Sequence, residues 1–392
     1  MKKVVIVSAT RTAIGHFNGS IASVDAIELG KIVIEDALKR IELDTSFVDE
    51  VIIGNVIQSG LGQNPARQSA LKANLSNNIP AFTINKVCGS GLKAITLATQ
   101  SILAGDNHIM IAGGMENMSQ APYLINNKCR WNLNQGKNQL YDTLVNDGLY
   151  CSINHYHMGM TAEILAKMYD ISRSDQDQFA LRSHQLAQKA ISNGEFIDEI
   201  VPITVKTGKE KYIFQQDQLP KSNLSLDHLS DLIPIFKKGT VTTGNISNLS
   251  DGAAALIIMS ENRAKQLGLR PLAYIRSYAS GAVNPNLMGL GSVSATKLAL
   301  KKASLNLSDI DLIEAGETFA AQFLALCYEL DFDLSKTNIR GGTIALGHPI
   351  GSSGARILVT LLYTMIHHDK QFGLATLGIG GGLGISIILE RC

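Results

Sequence analysis

The sequence has no window approaching about eighteen consecutive apolar residues, which excludes a helix that crosses a membrane. It has no CxxC pair and no metal-type spacing, and its five cysteines (88, 129, 151, 327 and 392) are an odd count. That argues against a disulfide framework and for a reducing cytosol. Neither charge is in surplus: 35 Lys and Arg stand against 34 Asp and Glu. This removes the footprint of a nucleic-acid partner and leaves room only for a local basic patch toward a phosphorylated small molecule. Met1-Lys2-Lys3 leads straight into Val4-Val5-Ile6-Val7, too short for a signal h-region and readable as a buried strand. What is abundant is apolar mass. With 392 residues, 45% of them hydrophobic, the chain can bury a large interior in two or three domains.

Strands and helices alternate at first. Apolar runs at 4–7, 51–54 and 109–112 read as strands, and 26–41 and 66–73 carry helical periodicity. The alternation predicts an α/β architecture with a mainly parallel sheet. From 120 to 248 the pattern loosens into a polar stretch holding Trp131 and a helix at about 174–192, which Ser172 and Asp175 open as a capping box. That stretch reads as an insertion over the sheet. A buried strand resumes at 251–259.

The chain is organised around Asn85-Lys86-Val87-Cys88-Gly89-Ser90-Gly91-Leu92. An extended segment precedes it at 81–84. A helix follows at 92–103, with Leu92, Ile95, Leu97, Ala98 and Ile102 on its apolar face. Cys88 therefore lies at a strand-to-helix junction where glycine permits a tight turn. A thiol there meets free N–H groups and the positive end of the helix dipole, both of which favour thiolate. The bland alternative is a buried structural cysteine.

The last third repeats the first. Ala37-Leu38-Lys39-Arg40 returns as Ala299-Leu300-Lys301-Lys302, an offset of 262 residues, and Val48 meets Ile310 at the same offset. Cys88 is carried onto Ile350, inside Gly347-His348-Pro349-Ile350-Gly351-Ser352-Ser353-Gly354 and just ahead of a helix predicted at 355–366. Two similar halves facing each other bring both loops to one interface. His348 is then the natural partner of Cys88, because a neutral imidazole that takes the thiol proton gives a nucleophile for acyl transfer.

Taken together, these loops resemble the thiolases, close to the acetyl-CoA acetyltransferases. The resemblance runs through Gly54-Asn55-Val56, Gln63-Asn64-Pro65-Ala66-Arg67-Gln68, His157-Met158-Gly159, and residues 85–94, 113–123, 239–252, 317–322 and 341–357. It implies two βαβαβαββ halves in a layered α-β-α-β-α arrangement with an inserted loop domain. Residues 1–119 with 249–270 would form one half, 120–248 the loop domain on the CoA-binding side, and 271–392 the other half. It also implies a cytoplasmic homodimer or homotetramer acting on acyl-CoA thioesters, with no tightly bound cofactor, no metal and no membrane partner. Cys88 would take an acyl group, with His348 as base, and pass it to a carbanion or back to CoA. Oxyanion donors are expected at the N–H groups of Cys88 and Gly380, aided by His348. Contacts to CoA fall on His157, Met158, Phe236, Ser247 and Met288, with Lys221 near the nucleotide. Phe236 and Met288 taken alone read as loop packing.

Two positions depart from the family pattern. Gly378, in Leu377-Gly378-Ile379, stands where the family carries a second, proton-exchanging cysteine. Gly316, in Gly316-Glu317-Thr318-Phe319, stands where an asparagine anchors a water. Both losses bear on the carbon–carbon step, so condensation and thiolysis are expected to be slowed while acylation keeps its parts. The alternatives are a thioesterase or an acyltransferase to oxygen or nitrogen that uses only Cys88 and His348, or a silent acyl-CoA-binding homologue.

Overall fold

Strand β1 (Val4–Thr12) is buried along all nine residues, so it reads in sequence as a run and not an alternation. Helix α1 (Ala26–Lys39) starts where Asp25 accepts the N–H of Glu28 at 2.7 Å, and it buries Leu29, Val33 and Ile34 on one face. Strand β2 (Glu50–Gly54), helix α2 (Pro65–Lys72), strand β3 (Ala81–Ile84), helix α3 (Ser90–Ala104) and strand β4 (Ile109–Asn117) follow. The structure, a computed structural model, describes residues 3–125, 139–207 and 210–392. Trp131 and Cys129 lie outside the described residues.

The inserted stretch carries helices α4 (Gly159–Met168) and α5 (Arg173–Ser192). The capping box read at Ser172 is present, with Asp175 N donating to Ser172 Oγ at 3.1 Å and Ser172 N to Asp175 Oδ2 at 2.9 Å. Strand β5 (Ser250–Ser260) then returns to the sheet. It is followed by β6 (Ala273–Ala282), α6 (Gly291–Ala303), β7 (Leu312–Ala315), α7 (Ala320–Leu330), α8 (Ile350–His367), β8 (Phe372–Ile379) and β9 (Leu383–Arg391).

The strand order is β7-β8-β9-β6-β1-β5-β4-β2-β3. The expectation of a mainly parallel sheet needs correction. β2 pairs in parallel with β3 and β4, and β7 with β8, as helix crossovers require. However, β5 runs antiparallel to both β1 and β4, and β9 runs antiparallel to both β6 and β8. β9 follows β8 after a short turn, and β5 returns only after the inserted stretch, so neither is tied to a single crossover helix. The halves join edge to edge where Val5 and Ile6 pair with Tyr274 and Ala273.

The duplication is visible in detail. β1 and β6 each carry a register irregularity, between Ile6 and Ser8 and between Ile275 and Ser277. Ser8 Oγ donates to Ala37 O at 2.7 Å, and Ser277 Oγ donates to Ala299 O at 2.7 Å. Ala37 and Ala299 are the residues that the 262-residue offset pairs. Helices α3 and α8 lie back to back between the halves. Leu92, Ile95, Leu358, Leu361 and Met365 share one core with Ile6, Leu256, Leu377 and Ile387. One outer core packs α1 and α2 on the first half, and another packs α6 and α7 on the second. The result is five layers, α-β-α-β-α, as the resemblance implied. A Leu-to-Ala change in the central layer should cost about 2–5 kcal/mol.

Candidate active site

Val87, the residue before Cys88, holds φ at +49°, where a β-branched residue is strained. Ser90 over-determines that turn. Its hydroxyl accepts the N–H of Lys86 at 2.8 Å and donates to Val87 O at 2.6 Å, while Asn85 Oδ1 accepts the N–H of Val87 at 2.9 Å. Gly91 lets the starts of the two central helices touch, because a Cβ there would stand 2.7 Å from Ala355 N. Cys88 is thus held at the opening of α3, and part of its surface is free.

His348 sits in the matching loop at the opening of α8, with its N–H donating to Ser250 Oγ at 3.1 Å. Ser353 Oγ lies 2.7 Å from His348 Nδ1 and donates to Pro349 O at 2.9 Å. With its hydroxyl proton on that carbonyl, Ser353 accepts the imidazole proton at Nδ1, the tautomer that leaves Nε2 as an acceptor. Among the described residues Nε2 has no partner, although the residue is 94% buried, its exposure being 6%. Ser353 escaped the sequence reading. The available signal was a serine four residues after a helix-opening proline, placed to bond back to its carbonyl.

Both loops open on one cavity of about 900 Å³. Cys88, His348, Gly380, His157, Met158, Ser247 and Met288 all line it. Phe236 is absent from the lining and tilts against the His157 ring at 6.0 Å between centroids. Lys221 also stands outside the lining; it is exposed, and its backbone N–H donates to His184 Nδ1 at 3.2 Å. Leu149, Ile153, Ile350 and Phe319 add apolar wall that sequence reasoning did not single out.

The electrostatics correct the expectation of a ready thiolate. Burial pushes the Cys88 thiol up to about 11, outweighing the N–H groups of Gly380 and of Cys88 itself, which pull it down. Burial, with Arg356 nearby, holds His348 down at about 4. Near neutrality both groups are uncharged: a thiol that needs a base, and a base with a free lone pair.

Neither departing glycine opens on the cavity. A Cβ at Gly316 would run into the Leu377 side chain, so leucine occupies the space beside it. A Cβ at Gly378 would stand 2.7 Å from Gly289 Cα.

The description "Thiolase, N-terminal domain" matches residues 4–262, and "Thiolase, C-terminal domain" matches residues 269–391. An acetyl-CoA acetyltransferase of Escherichia coli (strain K12) is 57% identical over 392 residues, covering 100% of both chains. One of Pseudomonas aeruginosa is 53% identical over 393 residues, again covering 100% of both. The crystal structure of the Bacillus anthracis acetyl-CoA acetyltransferase superposes with TM-score 0.97 at 42% identity, covering 100% of this chain and 99% of that one. Human mitochondrial 3-ketoacyl-CoA thiolase superposes with TM-score 0.96 at 40% identity and the same coverage.

Proposed function

Because the chain belongs to the thiolase family, we propose that it is an acetyl-CoA acetyltransferase, joining two acetyl-CoA into acetoacetyl-CoA and CoA or running the reverse thiolysis. One observation carries the reading. The nucleophile-type loop of one half and the base-type loop of the other face a single cavity, with Cys88 and the unpartnered Nε2 of His348 on its wall.

His348 Nε2 takes the Cys88 proton as the sulfur attacks the thioester carbonyl of acetyl-CoA. The N–H groups of Cys88 and Gly380, which already converge on the sulfur, receive the oxyanion that forms beside it. As the carbonyl reforms, the C–S bond to CoA breaks and the imidazolium returns the proton to the leaving thiolate. The acetyl group on Cys88 then passes to the nucleophile entering the same cavity, the α-carbon of a second acetyl-CoA or the CoA thiol in the reverse direction; in each case the bond from the acetyl carbon to the Cys88 sulfur breaks and that sulfur ends with the proton the nucleophile gives up. His157, Met158, Ser247 and Met288 line the approach of the pantetheine arm, and Phe236 backs His157. Lys221 serves the nucleotide end outside the cavity.

The weakening of the carbon–carbon step expected from Gly378 and Gly316 is not borne out, since relatives named for the acetyltransferase activity match this chain end to end. A thioesterase or an oxygen or nitrogen acyltransferase is not favoured for the same reason. The substrates are CoA thioesters and no tightly bound cofactor is needed. We assign the protein to the cytoplasm; among the described residues no helix is long and apolar enough to cross a membrane. A homodimer or homotetramer agrees with the exposed apolar hairpin that pairs Tyr123–Ile125 with Leu140–Asp142, where Tyr123 is 65% and Leu140 61% exposed. Supplying acetoacetyl-CoA with CoA should yield two acetyl-CoA per turnover. Hydrolysis of acetyl-CoA without thiolysis would sink the reading.

A further inference from the structure

Glu116 is the penultimate residue of β4, and its side chain has no exposure to solvent. Its carboxylate accepts four N–H groups from two elements. Oε1 accepts Asn55 Nδ2 at 2.7 Å and Ile57 N at 3.2 Å, while Oε2 accepts Val56 N at 3.0 Å and Gly351 N at 2.9 Å. Four donors and no acceptor fit the ionised form, and Gly351 brings the N-terminal end of α8. The contact is close because residue 351 has no side chain: a Cβ there would stand 2.8 Å from Glu116 Oε2.

Each bonded group leads to a reactive one. Gly351 is three residues from His348. Val56 and Ile57 form a cluster with Ile350 and Met118 against which Cys88 packs. Burial does most to hold the Cys88 pKa up, and the charge of the carboxylate acts in the same direction. From β5, Asp251 is the titratable neighbour of Glu116, and the segment after β2 brings Asn55. Burial pushes Glu116 up to about 7 against the backbone N–H groups that pull it down.

We propose that Glu116 is a positioning residue that clasps the His348 loop to the wall behind Cys88, fixing nucleophile and base at one separation. The proposal rests on the acyl-transfer reading above, and it gives the two reactive loops a shared mechanical tie. It also makes a prediction that a purely structural role does not, because clasp and charge act on Cys88 in opposite directions. Removing the charge frees thiolate, while removing the clasp slows transfer.

The test first confirms that wild-type protein takes an acetyl group from acetyl-CoA on Cys88; failure at that stage defeats the acyl-transfer reading and not the clasp. Glu116→Gln should then slow acylation by about 10- to 100-fold, as a misplacement near 1 Å does. KM for acetyl-CoA should change by less than about threefold. Alkylation of Cys88 by iodoacetamide at pH 8 should rise by about three- to tenfold, as loss of the nearby negative charge releases thiolate. Glu116→Asp keeps the charge and loses the reach, so it should slow acylation without raising alkylation. If the Gln variant does not fold, Gly351→Ala carries the test, because the new methyl crowds the carboxylate together with Met115 O at 2.8 Å and Asn55 Cα at 2.9 Å, and should slow acylation while leaving alkylation as in wild type. Unchanged acylation in Glu116→Gln or Gly351→Ala, or acylation and alkylation falling together in Glu116→Gln, would overturn the proposal.

Discussion

Glu116 and Gly378 occupy the same place in the two halves. They are 262 residues apart, each next to last in its strand, and they face Gly252 and Gly384 at matching points of the ladders. One half puts a buried carboxylate there, bonded to four N–H groups. The other puts nothing, and Gly289 closes over the position. The loops differ in the same way. The offset carries Cys88 onto Ile350 and Lys86 onto His348, so each half keeps one reactive side chain and fills the matching place with something inert toward the cavity. Duplication supplies two helix openings at one interface. Divergence then needs to perfect only one reactive group in each.

Substitutions can break this division of labour. Cys88→Ala removes the nucleophile and should lower acetyl transfer by about four orders of magnitude or more, as loss of a nucleophile that acts in a catalytic unit does. Steady-state thiolysis of acetoacetyl-CoA would measure it. His348→Ala should slow acylation by about 10²–10⁴-fold, followed by rapid quench; an unchanged rate would mean that the helix opening alone activates the thiol.

The pH dependence follows from the depressed His348. Its base form is present above about 4, so in Glu116→Gln, which lacks the carboxyl that burial holds near 7, the rate should hold from neutrality down to near pH 5 and fall only as pH drops through about 4. A titration near the ordinary histidine value would contradict the burial argument. Folding carries the opposite burden, because unfolded His348 would bind a proton below about 6.5 and the folded state would not. Stability should therefore decline as pH falls from about 6.5 toward 4, read as Tm against pH in wild type and in His348→Gln.

Smaller effects sharpen the comparison. Ser353→Ala releases the tautomer lock and should cost up to about tenfold in acylation, the worth of one hydrogen bond. Lys86→Ala, at the repeat position of His348, should change acylation by no more than about twofold. Lys86 stands off the cavity wall and donates to Ser280 Oγ at 2.8 Å.

Some of this was legible in the chain because it is local. A cysteine between glycines ahead of a helical period, and a Gly-His-Pro loop at a fixed offset from it, need no tertiary information to be noticed. The helices α3 and α8 open at Ser90 and Ile350, two to five residues before their apolar faces become periodic, because glycine and serine fill their first turns. What was illegible depends on contacts distant in sequence. The antiparallel entry of β5 follows an insertion whose length says nothing about direction. Cys88 was read as helped toward thiolate by its helix, but the layers that bury it outweigh that help. Gly316 and Gly378 read as gaps in a site, whereas Leu377 and Gly289 close against them. Glu116 lies 28 residues from Cys88 in sequence, and only folding brings its carboxylate to the His348 loop and to the 55–57 segment on which Cys88 packs.

The central claim is that one half supplies the nucleophile and the other its base. Mixing the protein with acetyl-CoA, quenching in acid and mapping the peptides tests it most directly when wild type and His348→Ala are compared at early times. The account predicts acetyl on Cys88 alone, formed rapidly in wild type and about 10²–10⁴-fold more slowly in the variant. Acetyl on Cys151 or Cys327, or equal rates in the two proteins, would contradict it.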